Sequence, residues 1–319
     1  MNLSYSPLLK NGIALLILLT ISMSGFSQDE AATVDTSWKF NGLVSINFSQ
    51  VYLQNWQGGG KSSISGTSGL HLGALYNKGK HNWDNQLDLA YGLLREENSD
   101  PTKTDDKIDI ASKYGYQAAK RWYYTFLAGF RTQFAEGFDP DVEDSLISDF
   151  MAPGYLSTSL GLDYIVKDKL SFLFAPISTK STFVLRQDLA DIGAYGVDPA
   201  EYEMVNDVLV KTKDGQSVRH EFGAYIKASF RKEILENVRL QTKIELFSNY
   251  LENPQNIDVN WEVLINMKVN EYLSTNINTV LIYDDDIKIT DGVDAEGNPV
   301  VGPRVQFKEV LSIGIAVKF

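Results

Sequence analysis

The sequence predicts an all-β protein, a transmembrane antiparallel up-and-down β-barrel of about twelve strands. Three observations predict it. Segments of two-residue periodicity run from residue 38 to the end, and the connections between them alternate in length. The third is the terminal stretch, where Leu311, Ile313, Ile315, Val317 and Phe319 share one face against small or polar groups on the other. A strand built that way has hydrocarbon on one side and water on the other, as the wall of a membrane barrel requires. The soluble alternative is a β-sandwich that uses the same aromatics as core.

Residues 1–27 read as a secretory signal peptide: Lys10 precedes an apolar run from Gly12 through Ile21, and small residues follow up to Ser27. The run is short of the roughly 20 residues that span a bilayer as a helix. Residues 28–37 read as a periplasmic linker and 38–319 as the barrel domain. The formal charge of -12 becomes -13 when Lys10 leaves with the leader. That balance argues against a phosphate-binding nucleic-acid protein. There is no cysteine, which excludes thiol catalysis, cysteine metal sites and a lipid-bearing cysteine.

The first barrel segment, 38–52, sets Val44, Ile46, Phe48 and Tyr52 against Ser45, Asn47 and Ser49. In the second, 63–76, Ile64, Leu70, Leu72 and Tyr76 oppose Ser65, Thr67 and His71. In the third, 83–93, Trp83, Leu87, Leu89, Tyr91 and Leu93 oppose Asp84, Gln86 and Asp88. The same alternation marks 107–116, 122–132, 155–164, 170–177, 221–231, 238–247, 259–269, 273–283 and 306–319. Most of these match the roughly 9–11 residues of a tilted spanning strand, and the seventh is shorter. No helix-period segment with caps is evident.

Connections after the even-numbered segments are tight, as in Asn77-Lys78-Gly79-Lys80, whereas the others run long and polar, as in 133–154 and the 43-residue stretch Ser178 to His220. Short periplasmic turns and longer outer loops are the habit of outer-membrane barrels, and an even count puts both termini in the periplasm. Aromatics gather at both ends: Tyr76, Trp83, Tyr116, Trp122, Tyr164, Phe230, Tyr272 and Phe319 by the short turns, and Tyr52, Phe130, Phe222, Trp261, Tyr283 and Phe307 by the long ones. Two interfacial belts follow. The expected location is the outer membrane of a Gram-negative bacterium.

Opposite the apolar faces stand Asp84, Asp88, Arg131, Lys227, Arg231, Arg239, Lys243, Glu245, Glu262 and Lys268, the candidate lumen-lining set, with Lys113 beside them. Acids and bases at close range bridge and narrow a lumen of this size. A basic cluster on the eighth and ninth segments favours an anionic solute where water reaches it. The non-enzymatic reading is thus a narrow channel for small solutes, or a structural or accessory envelope component that meets a partner through the stretch from Ser178 to His220. The enzymatic alternative is an outer-membrane hydrolase of lipase or protease type. Only His71, His81 and His220 exist, no sequence pattern pairs one with a serine, and no G-x-S-x-G elbow, H-E-x-x-H or phosphate loop occurs. No catalytic residue and no cofactor is expected. The acidic groups Asp139, Asp141, Glu143 and Asp144, and Asp284, Asp285, Asp286, Asp291 and Asp294, are of a type that calcium prefers, but their spacing is not that of an EF-hand, so solvated loops are expected rather than a metal site.

The stretch Phe48-Ser49-Gln50-Val51-Tyr52-Leu53-Gln54-Asn55-Trp56, followed by Gly59-Gly60, resembles a Bacteroidota outer-membrane family catalogued as a domain of unknown function, through Asn55, Trp56, Gly59 and Gly60 in an N-W-x-x-G-G signature. The likeness runs from about Trp38 to about Phe138. It implies a barrel in a Gram-negative envelope and supplies no catalytic residue; the motif itself is expected to fold into the barrel mouth. Gly314, Val317 and Phe319 resemble the C-terminal signal read by barrel-insertion machinery, although Val317 departs from the preferred aromatic. The expected partners are therefore outer-membrane lipid and that machinery during assembly.

Overall fold

The computed structural model describes residues 37–52, 61–97, 99–139, 142, 144–167, 169–293 and 299–319, and residues 37–319 form one compact unit. The expected leader, the linker up to residue 36 and the motif at Asn55, Trp56, Gly59 and Gly60 lie outside the described residues.

Eighteen strands follow one another along the described chain. They are β1 (Trp38–Val51), β2 (Ser63–Lys78), β3 (His81–Glu96), β4 (Thr102–Ala119), β5 (Trp122–Thr132), β6 (Gly137–Phe138), β7 (Leu146–Ser148), β8 (Gly154–Val166) and β9 (Leu170–Phe183). The second half supplies β10 (Glu201–Val205), β11 (Val208–Lys213), β12 (Val218–Leu235), β13 (Val238–Asn249), β14 (Asp258–Lys268), β15 (Leu273–Tyr283), β16 (Lys288–Val293), β17 (Pro299–Pro303) and β18 (Gln306–Lys318). Twelve of them close a barrel in the order β1-β18-β15-β14-β13-β12-β9-β8-β5-β4-β3-β2, each neighbouring pair antiparallel. Closure pairs the edge strands with each other, so none of the ladder's polar groups need face hydrocarbon.

The seam is β1 against β18, in register from Leu43↔Lys318 to Phe48↔Ile313. Gly42 N donates to Phe319 O at 2.8 Å and Phe319 N to Gly42 O at 3.0 Å, which sets both ends of the unit at the short-turn end of the wall. Gly314 faces Asn47 and Val317 faces Val44 across this seam.

The outward face carries the apolar alternation. Ile46 is 63% exposed and Ile313 57%, opposite one another's strand across the seam, and the same is true in kind of Leu160, Phe174 and Phe126 on the far wall. A continuous belt of this sort is unstable in water and at home in a bilayer. Donors on this face are satisfied locally: Trp83 Nε1 donates to Ser112 Oγ at 2.8 Å and Trp261 Nε1 to Thr242 Oγ1 at 2.9 Å. At the short-turn end Trp38 lies 5.1 Å from Tyr76 and 5.8 Å from Trp83, ring centre to ring centre, and Trp122 lies 5.1 Å from Tyr164. Among the described residues no helix is long and apolar enough to cross a membrane.

The strands differ from the sequence expectation in three ways. β9 does not stop at Ile177 but runs on to Phe183, because Pro176 sits in a bulge: Phe174 pairs with Leu162 and Ile177 with Leu160, so the outward phase skips a residue. Proline is tolerated there because a bulge needs no ladder donor. The connection expected over 95–106 shrinks to 97–101, since β3 and β4 overrun the bilayer as one long hairpin. And three of the other connections are structured, with the hairpins β6–β7, β10–β11 and β16–β17 and, beside β10–β11, a short helix α1 (Gln187–Asp191).

A helix of five residues cannot hold itself. Packing holds it: Leu189 and Ala190 join Ala152, Val184 and Val197 in a small core at the long-connection end, flanked by Leu146 and Tyr195. Arg186 binds Glu136 at 2.9 Å, Asp149 at 2.8 Å and Asp188 at 3.1 Å. At the other end of the helix Asp191 accepts from Lys211 Nζ and Gln187 Nε2, each at 2.7 Å, and from Gly215 N at 2.9 Å. Lys211 first, then Gln187 and the Gly215 amide, hold its carboxyl down at about 2. A depressed carboxylate stabilises above its ordinary value of 3.8 and loses that contribution as pH falls through the folded value. Hydrogen exchange in 184–217, taken relative to the intrinsic rate of a free amide at each pH, is therefore expected to stay constant from neutrality down to about pH 4 and to quicken between about pH 4 and pH 2. Asp191→Asn should flatten that rise.

Candidate functional site: the charged lumen

Side chains from strands that are not neighbours meet on one face of the sheet, and this identifies the inside. Lys113 of β4 reaches over β5 to Asp163 of β8 at 2.8 Å and to Ser171 of β9 at 3.1 Å. Asn276 of β15 reaches over β18 to Asn47 of β1 at 3.4 Å. Following the register from these contacts, Asp84, Asp88, Arg131, Lys227, Arg231, Arg239, Lys243, Glu245, Glu262 and Lys268 all occupy the inward face.

Mid-barrel, a chain of ion pairs forms a chord. Arg131 of β5 donates through Nη2 and Nε to Asp109 Oδ2 at 3.0 and 3.2 Å, and the same Nη2 stands 3.7 Å from Glu245 Oε2 on β13. Glu245 Oε1 takes Lys227 Nζ at 3.0 Å and the Tyr225 hydroxyl at 2.9 Å. Lys243 pairs with Glu262 at 3.0 Å, and His71 Nδ1 with Asp88 at 2.7 Å. The bases on β12 and β13 therefore meet carboxylates, and the middle of the lumen offers paired charge. Water still reaches it, since the Arg131 side chain is 35% exposed and that of Asp88 38%. Toward the short-turn end lie Asp84, which accepts from Gln86 at 3.2 Å, and Arg231, Arg239 and Lys268.

The long-connection end is a second group that the sequence reading missed. Lys180, Glu221 and Asp258 face inward there and meet Asp284, with Lys180 Nζ at 2.8 Å from Asp258 and 3.1 Å from Asp284. Arg219 binds Asp286 at 2.8 Å and Glu252 at 3.2 Å. Asp109 and Asp163 were missed as well, although each keeps phase with inward residues that the alternation had found.

The three histidines have partners. His71 holds Asp88, His81 Nδ1 lies 2.6 Å from the Tyr114 hydroxyl, and His220 Nδ1 lies 2.8 Å from Ser181 Oγ. No sequence pattern announces the last contact; β9 and β12 bring the two side by side on the outward face. A hydrolytic site also needs a group to orient the imidazole and free donors for an oxyanion. Among the described residues no contact of His220 supplies the former, and the strand amides around it are committed to the ladder. Among the described residues no group of three acidic or histidine side chains is placed to hold a metal ion. Of the acids weighed for calcium, Asp284 and Asp286 are occupied by Lys180 and Arg219, and Asp285 by Asn256 and Tyr283, while Asp141, Glu143 and Asp294 lie outside the described residues.

The sequence can now be set beside known proteins. Residues 48–138 match a family described as protein of unknown function (DUF3078). No curated protein matches the chain. Solved structures with a similar course of chain include the translocator domain of the autotransporter NalP from Neisseria meningitidis, at 10% identity and a TM-score of 0.36 over 97% of this chain and 96% of that one. An outer membrane channel from Pseudomonas putida F1 has 11% identity and a TM-score of 0.39 over 91% of this chain and 100% of that one. The Pseudomonas putida toluene transporter TodX has 11% identity and a TM-score of 0.32 over 90% and 80%.

Proposed function

We propose that this protein is a non-enzymatic, integral barrel of a Gram-negative outer membrane whose lumen is a narrow, charge-lined passage for small solutes, with the short turns and both ends of the barrel in the periplasm. The observation that carries the reading is the chord Asp109–Arg131–Glu245–Lys227, an inward constriction that is ion-paired yet wetted. A salt-bridged plug that only holds the barrel shape would bury its ion pairs away from water, whereas inward charge that water reaches is the material of selectivity filters. Outer-membrane lipid supports the belt, and the strand that ends at Phe319 is the element the insertion machinery would engage.

The test is electrical. Purified protein in a planar bilayer should give discrete, small conductance steps. Silent bilayers would favour the accessory reading, which has its own support in the hairpin β10–β11: Met204 and Leu209 at its tip are 68% and 63% exposed, as a contact for an envelope partner would be.

A further inference from the structure

We infer that the long-connection end of the lumen is a binding site for an ammonium-bearing organic cation, which would be the solute class of the passage proposed above; the inference rests on that reading. Two bases serve five acids there. Lys180 Nζ is shared by Asp258 at 2.8 Å, Asp284 at 3.1 Å and Glu221 at 3.5 Å, and Arg219 Nη2 by Asp286 at 2.8 Å, Glu252 at 3.2 Å and Glu221 at 3.7 Å. Glu221 appears in both sets, with the longest contact in each. Its side chain is 2% exposed, and its Oε1 accepts no hydrogen bond.

A buried carboxylate oxygen without a donor has lost its solvation with nothing in return, so it is a place where a ligand gains by binding. Glu221 lines a cleft together with Asn249, Asn253, Asn256, Asp258 and Asp286, all of which offer oxygen acceptors, and the cleft admits a group about the size of a water molecule. The missing component is a positive charge that donates hydrogen bonds. A bare metal ion needs several oxygens converging on one point, and no three acidic or histidine side chains converge so among the described residues. An ammonium group has the required size and charge, and it directs its N–H bonds to separated acceptors. Farther in, on the same face and two residues beyond Asp258, the buried Oδ1 of Asn260 also accepts nothing, which provides a second acceptor directly beside Glu245.

The probe is putrescine, titrated by calorimetry at low salt into the full-length barrel folded in a zwitterionic detergent, with calcium chloride and sodium succinate in parallel. Putrescine should bind saturably and succinate should not. Glu221→Gln should weaken putrescine at least about tenfold, the loss expected when a charged hydrogen bond is made neutral. Glu252→Gln removes a 61% exposed carboxylate with little bearing on folding and should weaken it less. No putrescine binding, equal binding by Glu221→Gln, or calcium in place of putrescine would each overturn the inference. Conductance is measured separately: a barrel that conducts but binds no amine leaves the passage standing without this site, and one that binds but stays silent does the reverse.

Discussion

Glu245→Gln should cost about 3 kcal/mol of stability and turn the passage toward anions. Glu245 is the hub of the chord: its side chain is 15% exposed, Lys227 lies at 3.0 Å, Arg131 at 3.7 Å and the Tyr225 hydroxyl at 2.9 Å. The amide keeps the shape and an acceptor for Tyr225 but leaves two partly buried cations with one acid fewer, and breaking a buried pair from one side costs far more than deleting the whole pair. Arg131 retains Asp109, which is why the low end of the usual range is expected. Urea titration of the detergent-folded barrel measures the first effect. The reversal potential across a salt gradient measures the second, and its sign is fixed, because removing a negative charge from the constriction raises anion permeability relative to cation permeability. An unchanged reversal potential would mean that ions do not pass the chord.

Gly223→Ala should destabilise the wall by about 1–3 kcal/mol through overpacking, with no change of charge. A Cβ at Gly223 would lie 1.9 Å from the Ser248 carbonyl oxygen, a backbone atom that cannot swing aside. The position belongs to the same disturbance as Pro176: pairing between β9 and β12 slips between Gly223 and Tyr225, and on the other side a Cβ at Gly161 would lie 2.1 Å from the Phe174 carbonyl oxygen. Two glycines therefore make room for a bulge that a proline occupies. Gly66→Ala is the control, since its Cβ meets nothing nearer than 3.8 Å and should be nearly neutral in the same urea titration.

How much of this was readable beforehand depends on what the surroundings impose. The bilayer enforces alternation wherever a strand crosses it, so the barrel strands and the inward positions of Arg131, Lys227, Lys243 and Glu245 could be found from period alone. The phase fails where a bulge inserts a residue. Beyond Pro176 the alternation no longer carries over, and Lys180 on β9 went unread for that reason, whereas Glu221 opposite it keeps phase with Lys227 and was open to reading. Asp284 and Asp286 lie in a connection, where no period exists to reveal that they turn inward. The hairpin β10–β11 did carry a signal. Asn206 and Asp207 take left-handed φ of 52° and 62°, the pair that a two-residue hairpin favours, between Val205 and Val208. It was hidden inside a stretch read as one polar loop. The pairing of His220 with Ser181 depends on β12 beginning at Val218 and β9 ending at Phe183, and strand ends are what local pattern specifies least.

The join between β1 and β18 runs from Gly42 to Phe48, whereas β1 meets β2 along its whole length from Trp38 to Val51. Sideways load on the cylinder would thus concentrate on a single short closure, and unzipping would begin there, exposing two free margins at once. Each margin would then show a row of unsatisfied amides and carbonyls to hydrocarbon, so the length of this one ladder sets how firmly the cylinder stays shut.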